Sequence, residues 1–256
     1  AKRNIGMKMA KGEILAFIDS DAYPRRDWLK NAIKYLSGDI VAVGGPGITP
    51  LEDSLLQKAS GIIFSSIMVG GFSRRYKNSA NVVYSGDIHS CNFIAKKSII
   101  EEVGGWNEKY WPGEDTLLCL GILKRGKKMV EAPDVLVFHH RKPLFKPHIR
   151  QVFKFGLHRG FFAKKFKGNS LKPGYFLPSL LIIFFSIGLL ASFMNQFMLI
   201  LLSSFLILYT ALSLLSAFKE ARSPTLALLV FAGIILTHIS YGLGFLIGML
   251  KSELER

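Results

Sequence analysis

Two aspartates separated by one serine follow a short apolar segment near the beginning of the chain. The segment Ile14–Ile18 predicts a buried strand, and Asp19-Ser20-Asp21 comes directly after it. Chain that leaves the carboxyl end of such a strand lies where open α/β sheets bind ligands. Two carboxylates in one place are costly unless a positive charge lies between them, and a hard divalent cation that bridges phosphates supplies that charge. The spacing favours a metal site, with a solvated loop or a helix cap as the alternative.

A second acidic pair, Glu114-Asp115, comes directly before a predicted helix over 116–124 that ends at Gly126. Carboxylates in the first turn of a helix are stabilised by the helix dipole, so these residues could serve only as caps. The functional alternative is a general base that takes a proton from an acceptor hydroxyl. The pattern leaves both alternatives open.

Helices and strands alternate around these acidic residues. Residues 1–11 predict a helix that ends at Gly12, and Asp27 is the expected N-cap of the next helix. Residues 40–43 predict a strand that leads into a tight glycine-rich turn, and residues 129–140 predict one or two further strands. This order predicts an α/β domain.

Two further segments in this part of the chain have more than one interpretation. Residues 51–72 are too short and too interrupted to cross a bilayer, so they predict a core or interfacial helix. The basic residues at 74–77 form a predicted loop that could bind diphosphate, although a solvated loop is the more common meaning. Cys91 and Cys119 form no metal or disulfide framework, and buried thiols in a reducing compartment explain them.

The charge of the chain is concentrated in one segment. The 256 residues carry a net charge of +15, and half of them are hydrophobic. Residues 139–172 contain ten lysines and arginines and no acidic residue. Because this segment directly precedes the most apolar part of the chain, it indicates an anionic membrane surface and argues against nucleic acid as a partner.

The second part of the chain has the composition of a membrane region. Residues 145–167 alternate apolar and basic residues, which predicts an amphipathic helix on a membrane surface. Three apolar segments follow, at 175–193, 197–218 and 225–250, each near or above the ~20 residues that span a bilayer. With a cytoplasmic first domain, the loop with Lys219 and Arg222 falls inside, in agreement with the positive-inside rule.

The ordered set of motifs resembles the second half of a family 2 glycosyltransferase domain of the GT-A fold. The motifs that carry the resemblance are Ala1-Lys2-Arg3-Asn4-Ile5-Gly6, Gly12-Glu13-Ile14, Asp19-Ser20-Asp21, Pro24, Trp28-Leu29, Gly104-Gly105-Trp106, Glu114-Asp115 and Gly126. The basic segment and the apolar segments are similar to those of membrane-bound bacterial and archaeal members, notably the succinoglycan-type exopolysaccharide enzymes. The resemblance covers nearly the whole chain, and its specificity comes from the order and spacing of the motifs.

The resemblance implies an architecture in three parts. Residues 1–140 are expected to form a partial, Rossmann-like GT-A catalytic domain that lacks its N-terminal portion. Residues 141–172 are expected to form the basic juxtamembrane segment, and 173–256 three transmembrane helices. The protein is then expected in the cell membrane as a multi-pass enzyme of polysaccharide or cell-envelope biosynthesis, with the catalytic domain in the cytoplasm.

The resemblance also implies a reaction, which is inverting transfer of a sugar from a UDP- or GDP-linked donor to a lipid-linked or saccharide acceptor. Mg²⁺ or Mn²⁺ is the expected cofactor. The implied roles are general base for Asp115 with Glu114 beside it, and metal ligands for Asp19 and Asp21 with His139 or His140. Donor binding is implied for Arg3, Asn4, Asp19, Ser20 and Asp21, and acceptor or interfacial contacts for Trp106, Gln151 and Lys154.

Two departures from the family pattern qualify these expectations. The nucleotide-binding β-α-β portion that opens the family's domain does not precede Ala1 in this sequence, so weak donor binding is expected of this chain by itself. Processive synthases carry Gln-x-x-Arg-Trp, whereas this chain has Gln151-Val152-Phe153-Lys154-Phe155. Because lysine cannot copy a bidentate guanidinium, a plain amphipathic anchor is the better interpretation of this helix.

A non-catalytic membrane subunit with the same fold is the main alternative function. The joint presence of Asp19, Asp21, Glu114 and Asp115 argues against it, because a scaffold does not need four acidic residues at turns. A small transporter fits poorly, because His238 is the one residue of the three apolar segments that could carry a charge near neutral pH, whereas transport paths need several polar groups. Packing between helices explains His238 better.

Overall fold

A computed structural model describes residues 2–69, 73–77 and 80–254, without the side chains of Ser73 and Arg74. The chain forms two compact units. One contains residues up to Glu52, residues Arg74–His140 and Leu254, and the other contains residues 53–73 and 141–253. One boundary between the two units falls after His140, and the segment 53–73 belongs to the second unit. The expected three-part division of the chain stays a prediction.

The described residues form eight strands and ten α-helices. The strands are β1 (Ile14–Ile18), β2 (Ala22–Pro24), β3 (Ile40–Gly44), β4 (Gly47–Ile48), β5 (Val83–Tyr84), β6 (Asn92–Lys96), β7 (Lys128–Glu131) and β8 (Val137–His139). The helices are α1 (Lys2–Met9), α2 (Trp28–Ile33), α3 (Leu55–Ser65), α4 (Ser73–Tyr76), α5 (Lys97–Val103), α6 (Glu114–Lys124), α7 (Lys146–Lys165), α8 (Leu177–Ser192), α9 (Gln196–Glu220) and α10 (Pro224–Leu250).

The first unit is an α/β domain with two sheets. The larger sheet has the strand order β1-β6-β3-β7-β5, in which β3 and β7 are parallel and the other pairs antiparallel. The smaller sheet has the order β2-β8-β4. Because successive side chains of a strand face opposite sides, Phe93 and Ala95 of β6 pack against α1, α5 and α6, while Ile94 packs against α2. The predicted α/β class is confirmed.

The expectation of a buried strand before Asp19 is wrong. Of the five residues of β1, only Leu15 is buried, and Ile18 is 37% exposed. Among the described strands β1 has a neighbour on one side only, β6, so it is an edge strand of the larger sheet. An edge strand keeps part of its apolar surface exposed, which an apolar pattern cannot reveal.

The expected glycine-rich turn after β3 forms, whereas the expected side-chain cap at Asp27 does not. Gly44 and Gly45 form a tight junction, since a Cβ on Gly45 would lie 2.0 Å from the carbonyl oxygen of Val135, so this turn is closed by backbone and has no room for phosphate. Asp27 does precede α2, but its side chain makes no cap hydrogen bond. Its carboxylate accepts hydrogen bonds from Arg25 and Asn31 instead.

The second unit is helical, and α7 packs closely on α10. Glycines spaced by four residues lie at the contact, Gly156 and Gly160 on α7 and Gly244 and Gly248 on α10. A Cβ on Gly160 would lie 2.1 Å from the carbonyl oxygen of Phe245, and one on Gly248 would lie 2.0 Å from that of Leu157. The two backbones therefore touch, as in small-residue contacts between membrane helices. The amphipathic helix expected at 145–167 exists, but one of its faces is a protein contact.

Two helices of the described chain are long and apolar enough to cross a membrane, α9 with 25 residues and α10 with 27. The third apolar segment forms α8, whose 16 residues fall short of the ~20 needed to span. Three transmembrane helices are therefore not confirmed. His238 of α10 is buried and contacts the Tyr209 hydroxyl at 2.7 Å and the Met68 carbonyl oxygen at 2.8 Å, as expected of a packing residue.

Candidate active site

The pairing of β1 with β6 determines which residues meet Asp19. The register pairs Ile18 with Asn92, so the residue that follows β1 lies opposite the residue that precedes β6. Those residues are Asp19 and Cys91, and Ser90 comes next. The carboxyl end of one strand and the beginning of its antiparallel neighbour thus carry the polar side chains of one site.

The smaller sheet brings a histidine to the same place. β2 and β8 are antiparallel with Ala22 opposite His139, and the His140 N–H donates to the Asp21 carbonyl oxygen at 2.9 Å. The side chain of His139 lies beside the second aspartate, with 3.3 Å between its Nε2 and Asp21 Oδ1. His139 is thus the residue of the histidine pair whose side chain lies beside Asp21, and its expected role as a metal ligand stays a prediction.

Arg3 of α1 connects the two acidic motifs. Its Nη1 donates to Glu114 Oε1 at 2.6 Å, and its Nη2 donates to Asp19 Oδ1 at 2.7 Å and to Ser90 Oγ at 2.9 Å. The guanidinium also lies over the ring of Trp106, 4.8 Å from its centroid. Burial lowers the pKa of Arg3, but the hydrogen bond with Glu114 and the charge of Asp19 outweigh burial and raise it. Arg3 therefore stays charged and holds both carboxylates.

Asp115 lies on the other side of Ser90. The Ser90 N–H donates to Asp115 Oδ2 at 3.3 Å, and the Thr116 N–H donates to Asp115 Oδ1 at 2.8 Å. Burial of the carboxyl group raises its pKa to about 6, and the negative charges of Glu114 and Asp87 add to the effect. A carboxylate with a pKa near 6 is ionised at neutral pH and remains a better proton acceptor than an ordinary aspartate.

A second buried acid, Asp87, lies behind Asp115. Asp87 is 1% exposed, accepts a hydrogen bond from Thr116 Oγ1 at 3.2 Å, and pairs with Arg75 Nη2 at 3.1 Å. Arg75 also lies 3.8 Å from Glu131. The basic residue at 75 is therefore turned into the protein, and in this arrangement it neutralises buried acids and does not form an exposed diphosphate loop.

The side chains near Asp19 are of the types that hold a divalent cation. One ligand atom each from Asp19, Cys91 and His139 lies within 4.8 Å of the other two. Asp19 and His139 are partly exposed, whereas Cys91 is buried. Carboxylate, imidazole and thiolate are metal ligands, and a cluster with one open side leaves a coordination position for a substrate. The donor set fits a divalent cation.

Several expected site residues have other contacts. The Asn4 Nδ2 group donates to the Trp106 carbonyl oxygen at 2.9 Å, and Asn4 Oδ1 accepts from the Trp106 N–H at 2.8 Å. Asn4 therefore holds this loop, and its expected contact with the sugar donor stays a prediction. Trp106 is 3% exposed and packs edge-on against Phe17 and Phe93, which gives it a core position. The acceptor contact expected of it stays a prediction.

The remaining candidates are not part of this cluster in the described contacts. Ser20 is exposed at the turn between the two aspartates. His140 packs at 5.8 Å from the ring of Tyr23. Gln151 and Lys154 belong to α7 in the second unit, where Lys154 is exposed. Their expected roles remain predictions.

Sequence patterns do not single out Ser90, Cys91 or Asp87 as site residues. The three residues lie in a loop before β6 that contains no recognisable motif, and composition alone explains Cys91 as a buried thiol. The strand register that brings Cys91 to Asp19 is the signal that would have identified it, and the register between two strands far apart along the chain is fixed by tertiary packing. Cys119, which contacts the Ile88 backbone, does match the interpretation as a buried thiol.

Comparison with known proteins shows what the chain is similar to. Residues 1–104 match the sequence model described as Glycosyl transferase family 2. Residues 1–104 of the chain are therefore similar to glycosyltransferase family 2. The matched residues include Arg3, the two aspartates of the site and the Ser90–Cys91 segment, whereas Glu114, Asp115 and His139 lie beyond the matched range.

Two relatives have established names. The chain is 30% identical over 155 residues to a pre-mycofactocin glycosyltransferase of Mycobacterium tuberculosis, which covers 60% of this chain and 32% of that protein. It is 26% identical over 260 residues to the dolichyl N-acetyl-alpha-D-glucosaminyl phosphate 3-beta-D-2,3-diacetamido-2,3-dideoxy-beta-D-glucuronosyltransferase of Methanococcus voltae, which covers 98% of this chain and 75% of that one. The chain thus spans about a third of the length of the mycobacterial relative.

A solved structure with a weaker likeness is the mannosyltransferase PcManGT from Pyrobaculum calidifontis, described in complex with GDP-Man and Mn²⁺. The likeness covers 93% of this chain and 65% of that one, with 18% sequence identity and a TM-score of 0.44. A similarity of this size does not by itself establish a shared fold.

Proposed function

We propose that this protein transfers a sugar from a nucleotide-diphosphate donor to an acceptor hydroxyl or phosphate at a membrane surface, with inversion at the anomeric carbon. The observation that carries the proposal is the arrangement around Ser90. Its hydroxyl accepts from Arg3, which binds Asp19, and its N–H donates to Asp115. A proton acceptor and a set of cation ligands are thereby held on the two sides of one residue.

Asp115 is the general base of this proposal. Its carboxylate accepts the proton of the acceptor hydroxyl while the acceptor oxygen bonds to the anomeric carbon and the nucleoside diphosphate leaves with the electrons of the bond that breaks. The pKa of about 6 suits this task, because the group is ionised at neutral pH and its proton affinity is high for an aspartate. Burial alone would raise the pKa further, and the Arg75 charge limits the increase.

Asp19 and His139, with Asp21 beside His139, are proposed to hold a divalent cation. When bound, such a cation supplies positive charge to the diphosphate that leaves. Arg3 keeps Asp19 and Glu114 in fixed orientations, so its proposed role is to position the site, and donor contact is not required of it. This differs from the donor-binding role that the family resemblance implies.

A lipid-linked acceptor is the favoured acceptor class. The relative that covers 98% of this chain is named for transfer to a dolichyl-phosphate-linked sugar. In this chain, α9 and α10 are long and apolar enough to enter a bilayer, and ten basic residues with no acidic one occupy 139–172. We propose that these features keep the enzyme at an anionic membrane surface, where a lipid-linked acceptor is concentrated.

The experiment is a transfer assay with membranes that hold the complete protein. Labelled UDP- and GDP-sugars are supplied singly with Mn²⁺, with Mg²⁺ or with EDTA, and label is followed into lipid-extractable and glycan fractions. Asp115→Asn is compared with Asp39→Asn, a matched change at an exposed acid whose recorded ion pair is with Lys127.

The expected result is cation-dependent label in the lipid fraction that Asp115→Asn abolishes and Asp39→Asn preserves. Label that survives Asp115→Asn would remove the base assignment. Absence of transfer with every donor, from protein that is folded in the membrane, would overturn the proposed activity in favour of a non-catalytic subunit.

A further inference from the structure

Cys91 occupies a place in the site that its residue type makes informative. It is 2% exposed, it lies opposite Asp19 through the β1–β6 register, and its Sγ belongs to the cluster within 4.8 Å with Asp19 and His139. Oxygen ligands alone would serve a hard cation. The thiol adds a soft ligand on the closed side of the cluster.

The thiol belongs to a buried apolar cluster with Trp28, Val43 and Ile94, and a histidine lies against its sulfur. His89 Nδ1 lies 3.2 Å from Cys91 Sγ, and His89 Nε2 lies 3.2 Å from the Gly45 carbonyl oxygen. If that carbonyl accepts from Nε2–H, Nδ1 carries a lone pair toward the sulfur, so the imidazole is oriented to accept the thiol hydrogen. The other cysteine has no such setting, since the Cys119 sulfur contacts only the backbone of Ile88 among its recorded hydrogen bonds.

We propose that Cys91 is a cation ligand, and that this site therefore binds zinc-class cations (Zn²⁺, Co²⁺, Cd²⁺) more tightly than Mg²⁺. The inference rests on the proposed cation site of the transferase and adds a ligand and a cation preference to it. Thiolate and imidazole select borderline and soft cations, whereas Mg²⁺ prefers oxygen ligands and octahedral geometry. Binding converts the thiol to a thiolate and releases its proton to the solvent.

The preference follows from the composition of the ligand set. With one carboxylate, one imidazole and one thiolate, three protein ligands are present and the partly exposed side is open for an oxygen of water or substrate. Three protein ligands with an open fourth position is the arrangement of catalytic zinc sites. A Mg²⁺ ion in the same place would gain little from the sulfur.

The test measures the ligands directly, without any need for turnover. The purified full chain in lipid or detergent is loaded with one equivalent of Zn²⁺, and X-ray absorption at the zinc edge is recorded. The expected shell contains one sulfur at about 2.3 Å together with nitrogen and oxygen ligands. A shell of nitrogen and oxygen alone, in folded wild-type protein, would overturn the proposal.

Cobalt substitution gives the matched comparison between the two cysteines. A thiolate-to-cobalt charge-transfer band is expected in the wild type and in Cys119→Ser, and its loss is expected in Cys91→Ser. Calorimetric affinity for Zn²⁺ should fall at least about tenfold in Cys91→Ser, because even partners outside the ligand shell are worth about 10–100-fold. The affinity for Mg²⁺ should fall less. A band that persists in Cys91→Ser would refute the assignment.

These readouts separate the inference from the proposed function. Sulfur ligation in a protein that transfers no sugar would leave the cation site standing and remove the transferase proposal. Transfer supported by Mn²⁺ in a protein whose zinc shell lacks sulfur would support the transferase proposal and refute Cys91 as a cation ligand. If Cys91→Ser does not fold, the absorption spectrum of the wild type still decides.

Discussion

Different interactions stabilise the interior of each of the two units. The first unit concentrates charge at its site, where Arg3, Asp19, Glu114, Asp87 and Asp115 interact through hydrogen bonds and ion pairs. The second unit joins α7 to α10 through glycines that allow backbone contact. We therefore expect a substitution at the site to change activity more than stability, and a substitution at the α7–α10 contact to change stability first.

The difference has a physical origin. A buried carboxylate without a full counter-charge costs stability, so its presence indicates a purpose other than folding. A glycine within a helix loses more conformational entropy on folding than other residues do, but at a helix contact the close approach of the two helices offsets this loss. The following substitutions test this distinction between the site and the α7–α10 contact.

The largest effect is expected from Asp115→Asn, which should lower the transfer rate and raise the stability of the fold. Transfer should fall about 100- to 10,000-fold, the usual contribution of a general base. The pKa of Asp115 is raised from 3.8 to about 6, so the fold favours the neutral form. That stabilisation is complete below pH 3.8 and lost above about 6. Asparagine stays neutral, so the melting temperature of the variant should exceed that of the wild type above pH 6.

The same melting experiment at about pH 4 supplies the control for this prediction, because the two proteins should then melt at similar temperatures. A variant that is less stable than the wild type at every pH would show that Asp115 stabilises the fold. That result would contradict the distinction between a site whose residues serve activity and a helix contact whose residues serve folding.

A smaller effect, on stability alone, is expected from Gly248→Ala. The added Cβ would lie 2.0 Å from the carbonyl oxygen of Leu157, and backbone cannot move aside as a side chain can. Overpacking of this kind costs about 1–3 kcal/mol. Gly174→Ala is the matched control, since a Cβ there meets nothing within 4 Å. Equal melting temperatures for the two variants would argue against the close helix contact.

Arg3→Lys should lower transfer about tenfold, equivalent to about 1.4 kcal/mol in the barrier. Lysine keeps the charge but cannot bind Glu114 and Asp19 with two parallel donors, so the carboxylates lose their common partner. Arg25→Lys changes a similar arginine that pairs with Asp27 away from the site, and its transfer rate should match the wild type. A positioning role predicts that Arg3→Lys changes kcat more than the KM for the donor.

The smallest effect is a shift in pH dependence. Transfer by the wild type should rise with pH through about 6 as Asp115 ionises. Asp87→Asn removes a negative charge that raises the pKa of Asp115, so the acidic limb should move to lower pH. Asp39→Asn should leave the limb in place. An unchanged limb in Asp87→Asn would show that Asp87 does not influence the base.

Sequence patterns predicted where helices and strands begin and end better than they predicted what these elements pack against. The helix over 1–11, the helix after Glu114-Asp115 and the strands around Pro133 all exist with nearly the expected bounds. Their signals are local, because caps, glycine stops and apolar periodicity act within a few residues. The edge position of β1 and the docking of α7 on α10 depend on which distant segments pair, and patterns within one segment do not contain that information.

The amino-acid sequence by itself determined the acidic motifs, their resemblance to family 2 glycosyltransferases, and the charge pattern that separates a basic segment from the apolar helices. Only the tertiary structure decided which side chains meet. It joined Arg3 to Glu114 across 111 residues, turned Arg75 toward Asp87, and brought Cys91 to Asp19 and His139. The reason is that residue type is a property of one position, whereas proximity depends on strand register and packing, which the whole chain sets together.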